Sequence, residues 1–192
     1  MDKLSSDMID LLSILKRMYG KDTEIGALAR KIMGDEMRCN QAGIDLICEF
    51  EGFYSKSYLC PANVPTIGYG TTIYPDGKKV SLSDSPITKE QAKEYLAHDL
   101  KKEEDNLNEL TKKLGITLNE NQFSALISFA YNLGFGKISS PSSTVNRGLK
   151  SGDHAMVCHG MSLYNRAAGK VMRGLTRRRK AEIALYNSKE NL

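Results

Sequence analysis

No stretch of this sequence approaches the ~18 consecutive apolar residues of a membrane-spanning helix, so stable membrane insertion is not expected. The first residues lack the basic segment and apolar core of a secretory signal peptide. Asp2, Asp7, Asp10, Lys16 and Arg17 interrupt every hydrophobic run there. The expectation is a protein made and held in the cytoplasm, which needs another agent to release it toward any external substrate. Prolines number only five and no low-complexity tract occurs, so the chain reads as an ordinary globular protein. Cysteines number four, Cys39, Cys48, Cys60 and Cys158, and their spacing fits neither a zinc site nor a C-x-x-C redox pair. In a cytosolic chain they are expected to be reduced. Cys48 reads as a small buried residue on a helix, and Cys60 sits in a loop beside Pro61.

A strong charge imbalance is also missing. The net charge is +4, from 27 basic and 23 acidic residues. That balance favours an anionic partner, such as a cell envelope, nucleic acid or membrane surface, without choosing among them. Basic residues gather late, in Lys170, Arg173, Arg177, Arg178, Arg179 and Lys180. Such a run is ordinarily a solvated helix face. No recognisable reader motif accompanies it, so no nucleic-acid partner is expected.

The 192 residues suffice for one buried domain with a small appendage. Leu4, Met8, Leu11, Leu12, Leu15 and Met18 recur at helical spacing, and Ile25, Leu28, Ala29 and Ile32 mark a second short helix. Residues 1–38 therefore read as a helical extension and 39–192 as the main domain. A helix after Asn40 places Ile44, Ile47 and Phe50 inward and ends at Gly52. From Ser55 to Val80 the texture turns to Tyr, Thr, Ile, Val and Gly, with Pro75-Asp76-Gly77 as a turn between two strand-like runs. Helices then resume. Thr88 to Gln91 and Asn119 to Gln122 each have the form of a capping box, and further helices are expected near 144–149 and 177–187. A small sheet set between helical stretches predicts an α+β fold.

The segment from Glu49 to Thr72, EFEGFYSKSYLCPANVPTIGYGTT, carries the chemistry. Glu51 closes a helix just before Gly52, with Phe50 and Phe53 beside it. The negative end of a helix and nearby aromatic groups both favour a carboxyl that keeps its proton, as a general acid requires. A glutamate at a helix end is, by itself, most often a surface residue. Its surroundings decide otherwise. Glu51, Cys60 and Thr66 form E-x8-C-x5-T, running into the glycine-rich Thr66-Ile67-Gly68-Tyr69-Gly70. This pattern resembles the phage-type lysozymes, glycoside hydrolase family 24. Gln122-Phe123-Ser124-Ala125-Leu126 through Asn132-Leu133-Gly134 is similar to that family's central helix. Gly174-Leu175-Thr176-Arg177-Arg178-Arg179 with Glu182 is similar to its C-terminal segment.

The resemblance implies a two-lobed α+β lysozyme fold, with a small antiparallel sheet lobe, a helical lobe and a cleft between them. It implies an endolysin that hydrolyses the bond between N-acetylmuramic acid and N-acetylglucosamine in bacterial peptidoglycan. Such a protein stays in the host cytoplasm until released to the cell wall, and a monomer without metal or organic cofactor is expected. By carry-over, Glu51 is the acid, Cys60 stands where many relatives hold a water-handling aspartate, and Thr66 helps position that water. An inverting course follows from the same resemblance. A thiol is mostly protonated at neutral pH unless its site intervenes. Cys60 is left as base, water-orienting group or nucleophile, and a disulfide to Cys39 or Cys48 would silence it. Asn132 is a candidate substrate contact, and Arg178 or Arg179 a candidate partner for Glu51. Two departures stand out: Thr71 replaces a common histidine, and no tryptophan precedes the C-terminal glycines, leaving Met161 or Leu163 to fill its space. A lytic transglycosylase and a non-catalytic wall-binding module remain alternatives.

Overall fold

The computed structural model describes residues 36–188, together with Met8, Asp10, Leu11 and residues 13–15. Those six earlier positions are helical. The rest of the expected N-terminal extension, including its second helix, lies outside the described residues.

Helix α1 (Gln41–Glu51) starts where Asn40 accepts a hydrogen bond from the Gly43 amide, and Gly52 closes it with φ 74°. Ile47 is fully buried. Phe50 does not enter the core as its spacing suggested. It lies half-buried under Arg177 and Arg178, whose guanidinium carbons sit 4.9 and 5.7 Å from its ring centre. The helix therefore meets the C-terminal basic run through a cation–π contact as well as through charge.

Strands β1 (Tyr54–Leu59) and β2 (Pro65–Gly68) form an antiparallel pair, with Tyr58 opposite Thr66 and Leu59 opposite Pro65. The turn of this hairpin is the segment 60–64, with Asn63 left-handed at φ 63°, a conformation asparagine tolerates. The sequence had pointed to Pro75-Asp76-Gly77 instead. That turn exists, with the Lys78 amide donating to Asp76 Oδ1 at 2.9 Å. It closes only the isolated bridge between Ile73 and Lys79. Good turn chemistry does not guarantee a ladder on either side.

Helix α2 (Lys89–Leu114) and helix α3 (Glu120–Leu133) both open with the expected capping boxes, Thr88 with Gln91 and Asn119 with Gln122. Leu96, Leu100 and Leu107 of α2 face the core, and α3 is buried continuously from Phe123 to Ala130. A helix buried on every side is a central one, and its buried Ser124 and Ser128 are bonded to neighbouring elements. Before α1, the Met37 amide donates to Asn108 Oδ1 at 2.9 Å, and Arg38 pairs with Glu104 and Asp105 of α2. The helical lobe thus already engages residues on the extension side of the expected boundary.

The C-terminal part contains α4 (Gly136–Ser139), α5 (Thr144–Ser151), α6 (His154–Ser162), a two-residue hairpin β3 (Arg166–Ala167) with β4 (Lys170–Val171), and α7 (Arg173–Asn187). Helix α7 begins four residues before the expected Arg177, and α4, α6 and the hairpin were not foreseen. Met161 is fully buried whereas Leu163 is 53% exposed, so of the two, only Met161 fills core space.

Helices α5 and α6 meet through two reciprocal glycines. A Cβ on Gly148 would lie 2.7 Å from the Val157 amide nitrogen and 3.0 Å from the Asp153 carbonyl. A Cβ on Gly160 would lie 2.7 Å from the Val145 amide nitrogen. These are backbone atoms, which cannot step aside as a side-chain tip can. Gly148→Ala is therefore expected to cost about 1–3 kcal/mol by overpacking, read from denaturant midpoints. Gly174→Ala, with no atom within 4 Å of the added carbon, serves as the control. Equal midpoints for both variants would contradict this packing.

Candidate active site

A cavity of about 400 Å³ is lined by Glu51, Gly70, Thr72, Ile73, Asp99, Tyr131 and Asn132. It draws on the end of α1, the segment after β2, the middle of α2 and the last turn of α3. Gly70 is required there: its φ is 116°, and a Cβ would meet the Tyr131 hydroxyl at 3.0 Å. That hydroxyl donates to the Tyr69 carbonyl at 3.1 Å, which pins the glycine turn against α3.

Glu51 is anchored from below. Arg178 Nη1 donates to Glu51 Oε1 at 2.6 Å, with the arginine side chain 4% exposed and the glutamate 27%. Of the two arginines named as candidates, Arg178 is therefore the one that meets Glu51. Arg179 goes elsewhere: its Nη2 donates to Asn132 Oδ1 at 3.0 Å and to Glu182 Oε1 at 2.9 Å. Both side chains are buried, contrary to the ordinary expectation of a solvated basic face. Lys170, Arg173, Lys180 and Arg177, the last paired at 3.8 Å with Glu49, are exposed as expected.

Cys60 and Thr66 sit side by side at the hairpin, outside the lining of the cavity. The Cys60 amide donates to the Val64 carbonyl at 3.1 Å, and the Thr66 hydroxyl donates to the same carbonyl at 2.9 Å. The tight loop turns the Val64 and Ala62 amides toward the Cys60 sulfur. They draw its pKa below the usual thiol value, with a smaller contribution from Thr66. Such a nest of backbone N–H groups favours an anion. Tyr58 lies within electrostatic range of both Cys60 and Glu51, which links the hairpin to the acid. All four cysteines are unbonded.

Asp99 and Tyr131 are cavity residues that sequence reasoning missed. Burial pushes the Asp99 carboxyl up, opposed by the Thr71 hydroxyl, which donates to Oδ2 at 2.7 Å. Thr71, marked only as a departure from histidine, thus keeps a polar tie to α2. Nothing in the sequence singles out Asp99 among the charged residues of a long helix.

The phage lysozyme family model matches residues 48–182. The chain belongs to the phage lysozyme family. It is 40% identical over 157 residues to an endolysin of Bacillus phage PZA, a match covering 79% of this chain and 56% of that relative. The chain thus spans little more than half the length of that endolysin, and the same holds for the endolysin of Bacillus phage B103. An endolysin of Salmonella phage P22 is 35% identical over 152 residues, covering 79% of this chain and 99% of the relative. Among solved structures, the endolysin from Escherichia coli O157:H7 phage FAHEc1 superposes with a TM-score of 0.68 at 34% identity, covering 79% of this chain and 94% of that one. The α+β architecture of small antiparallel sheets and helices is therefore that of lysozyme-like endolysins. The matched region includes Glu51, Cys60, Thr66, Asn132, Arg178, Arg179 and Glu182, so every candidate site residue lies inside it.

Proposed function

We propose that this phage lysozyme is an endolysin-type muramidase, hydrolysing the β-1,4 bond between N-acetylmuramic acid and N-acetylglucosamine in peptidoglycan. The observation that carries this reading is Glu51, held by Arg178 through Oε1 at the wall of an open cavity. Glu51 gives its proton to the leaving O4 of N-acetylglucosamine. A water attacks C1 of the muramic acid and loses its proton toward Cys60, whose thiolate the Val64 and Ala62 amides favour. Thr66 orients that water, and Asn132, steadied by Arg179, contacts the sugar. Retention of configuration would instead point to direct attack by the thiolate.

In the same reading the protein is a monomer that acts without a cofactor, binds no nucleic acid and waits in the host cytoplasm until it is released to the wall. Among the described residues, no helix is long and apolar enough to cross a membrane.

One observation favours a second reading. Cys60 and Thr66 do not line the cavity that Glu51 lines, as would suit a lytic transglycosylase, which uses one acid and the C6 hydroxyl of muramic acid in place of water. Product analysis on purified peptidoglycan separates the two. New reducing ends on muramic acid are expected. Anhydro-muramic acid as the main product would overturn hydrolysis, and no cleavage under reducing conditions would overturn both.

A further inference from the structure

We propose that Glu182 is a positioning residue for this reaction, one buried carboxylate that sets the placement of both the acid Glu51 and the substrate contact Asn132. The inference rests on the roles proposed above for those two residues. Glu182 has no access to solvent, so it touches no substrate itself. It stands one turn below the paired arginines of α7, at i+4 from Arg178 and i+3 from Arg179. Arg178 Nε donates to Glu182 Oε1 at 3.1 Å while its Nη1 reaches Glu51. Arg179 Nη2 donates to the same Oε1 and to Asn132, and its Nε lies 2.8 Å from Glu182 Oε2. Ser128 donates to Oε1 at 2.9 Å.

The geometry joins three helices at one point. Glu51 is the last residue of α1, and Ser128 and Asn132 occupy one face of the final turns of α3. Arg178, Arg179 and Glu182 share one face of α7. Each guanidinium is a rigid fork: Arg178 meets Glu182 through Nε and Glu51 through Nη1, whereas Arg179 meets both Glu182 and Asn132 through Nη2. Without Glu182, Arg178 would keep Glu51 and the Ser128 carbonyl and Arg179 would keep Asn132, but neither would have the carboxylate that fixes its angle.

Stability alone does not account for the arrangement. Burial pushes the Glu182 carboxyl up, opposed by Arg179, Arg178 and Ser128, so the network carries a desolvation cost. Well-packed apolar residues in place of a buried ion network are often neutral or stabilising. What an apolar cluster cannot do is hold two donors at set angles beneath a cleft.

The test is Glu182→Gln, which keeps the shape and removes the charge. It is compared with wild type and Glu51→Gln for kcat, KM, pH profile and melting temperature on solubilised glycan strands. Glu51 faces Arg178 from α7, Tyr131 from α3, Asp99 from α2 and, through the hairpin, Tyr58 and Cys60. Of these, only Arg178 has its charge shared with Glu182. Losing that contact leaves Arg178 less fixed beneath Glu51, so kcat is expected to fall across the whole pH profile. We expect kcat to fall about tenfold or more, since small misplacements of reacting groups are costly, and KM to rise as Asn132 loosens.

A loss that merely follows the folded fraction, with kcat per folded molecule and KM unmoved, overturns the proposal. If Glu51→Gln itself stays active, the underlying site reading has failed instead. Should Glu182→Gln not fold, a double-mutant cycle of Arg178→Lys with Asn132→Ala decides with Glu182 intact. Coupling through the shared carboxylate predicts clearly non-additive effects on kcat/KM, and simple multiplication of the two losses overturns it.

Discussion

Glu51→Gln is expected to lower kcat by about a thousandfold, within the range that a positioned general acid contributes. The amide has nearly the same shape as the carboxyl, and its oxygen still accepts from Arg178 Nη1. Arg178 also keeps Glu182 and the Ser128 carbonyl, at 3.1 and 3.3 Å, so its buried charge is not orphaned. The melting temperature should therefore move far less than the activity. That separation is the informative part. A collapse of stability together with activity would mean that Glu51 is mainly a structural partner of Arg178. Clearance of outer-membrane-permeabilised cells measures the first quantity and calorimetry the second. Glu51→Asp keeps the acid but withdraws it by one methylene, and it should recover little, because proton delivery depends on placement as much as on chemistry.

Iodoacetamide at neutral pH is expected to inactivate the enzyme by modifying Cys60 first, about 100-fold faster than Cys39, since the thiolate is the reacting species. The four thiols differ in surroundings. Burial pushes Cys39 up to about 12 and raises Cys48 and Cys158 as well. Cys60 alone is drawn down, chiefly by the Val64 and Ala62 amides. The sign for pH follows. Because its pKa is lowered, the Cys60 thiolate is present at lower pH than for an ordinary thiol, and labelling should speed up as pH rises toward that pKa. Peptide mapping of singly labelled protein reads the order directly. If Cys60→Asp keeps activity and resists iodoacetamide, the water-handling role stands. If Cys60→Ala is as active as wild type, Cys60 is dispensable and the single-acid reading gains.

The parts legible beforehand were local ones. Both capping boxes, the ends of α1 and α3 at Gly52 and Gly134, and the glycine turn after Thr66 follow from contacts within a few residues, which a linear pattern contains. The E-x8-C-x5-T spacing is local in the same sense, and the fold sets Cys60 beside Thr66 in one hairpin. Helix α6 was missed because its sequence, HAMVCHGMS, has no clean apolar stripe. It is held by glycine–valine contacts with α5 that only appear once the two helices cross. The hairpin turn was misplaced because Pro75-Asp76-Gly77 has stronger turn chemistry than Pro61-Ala62-Asn63, although the ladder forms around the latter.

Charge was the least legible feature. In the sequence, Arg177, Arg178 and Arg179 are one basic run. In the fold they separate into an exposed ion pair with Glu49, a buried clamp on Glu51 and a buried clamp on Asn132. Consecutive helix positions point about 100° apart, so Arg177 can face solvent while Arg178 and Arg179 turn inward toward Glu182. Which surroundings they meet depends on partners 127 and 47 residues away.

By itself, then, the sequence determined the helices with local caps, the position of Glu51 at a helix end and the family pattern around it, because those rest on short-range hydrogen bonding and spacing. Tertiary structure alone decided which arginine meets Glu51, that Asp99 joins the cavity and that Glu182 lies beneath both arginines. Each of these depends on where packed helices bring distant side chains together, and on the cost of burying a charge without a partner.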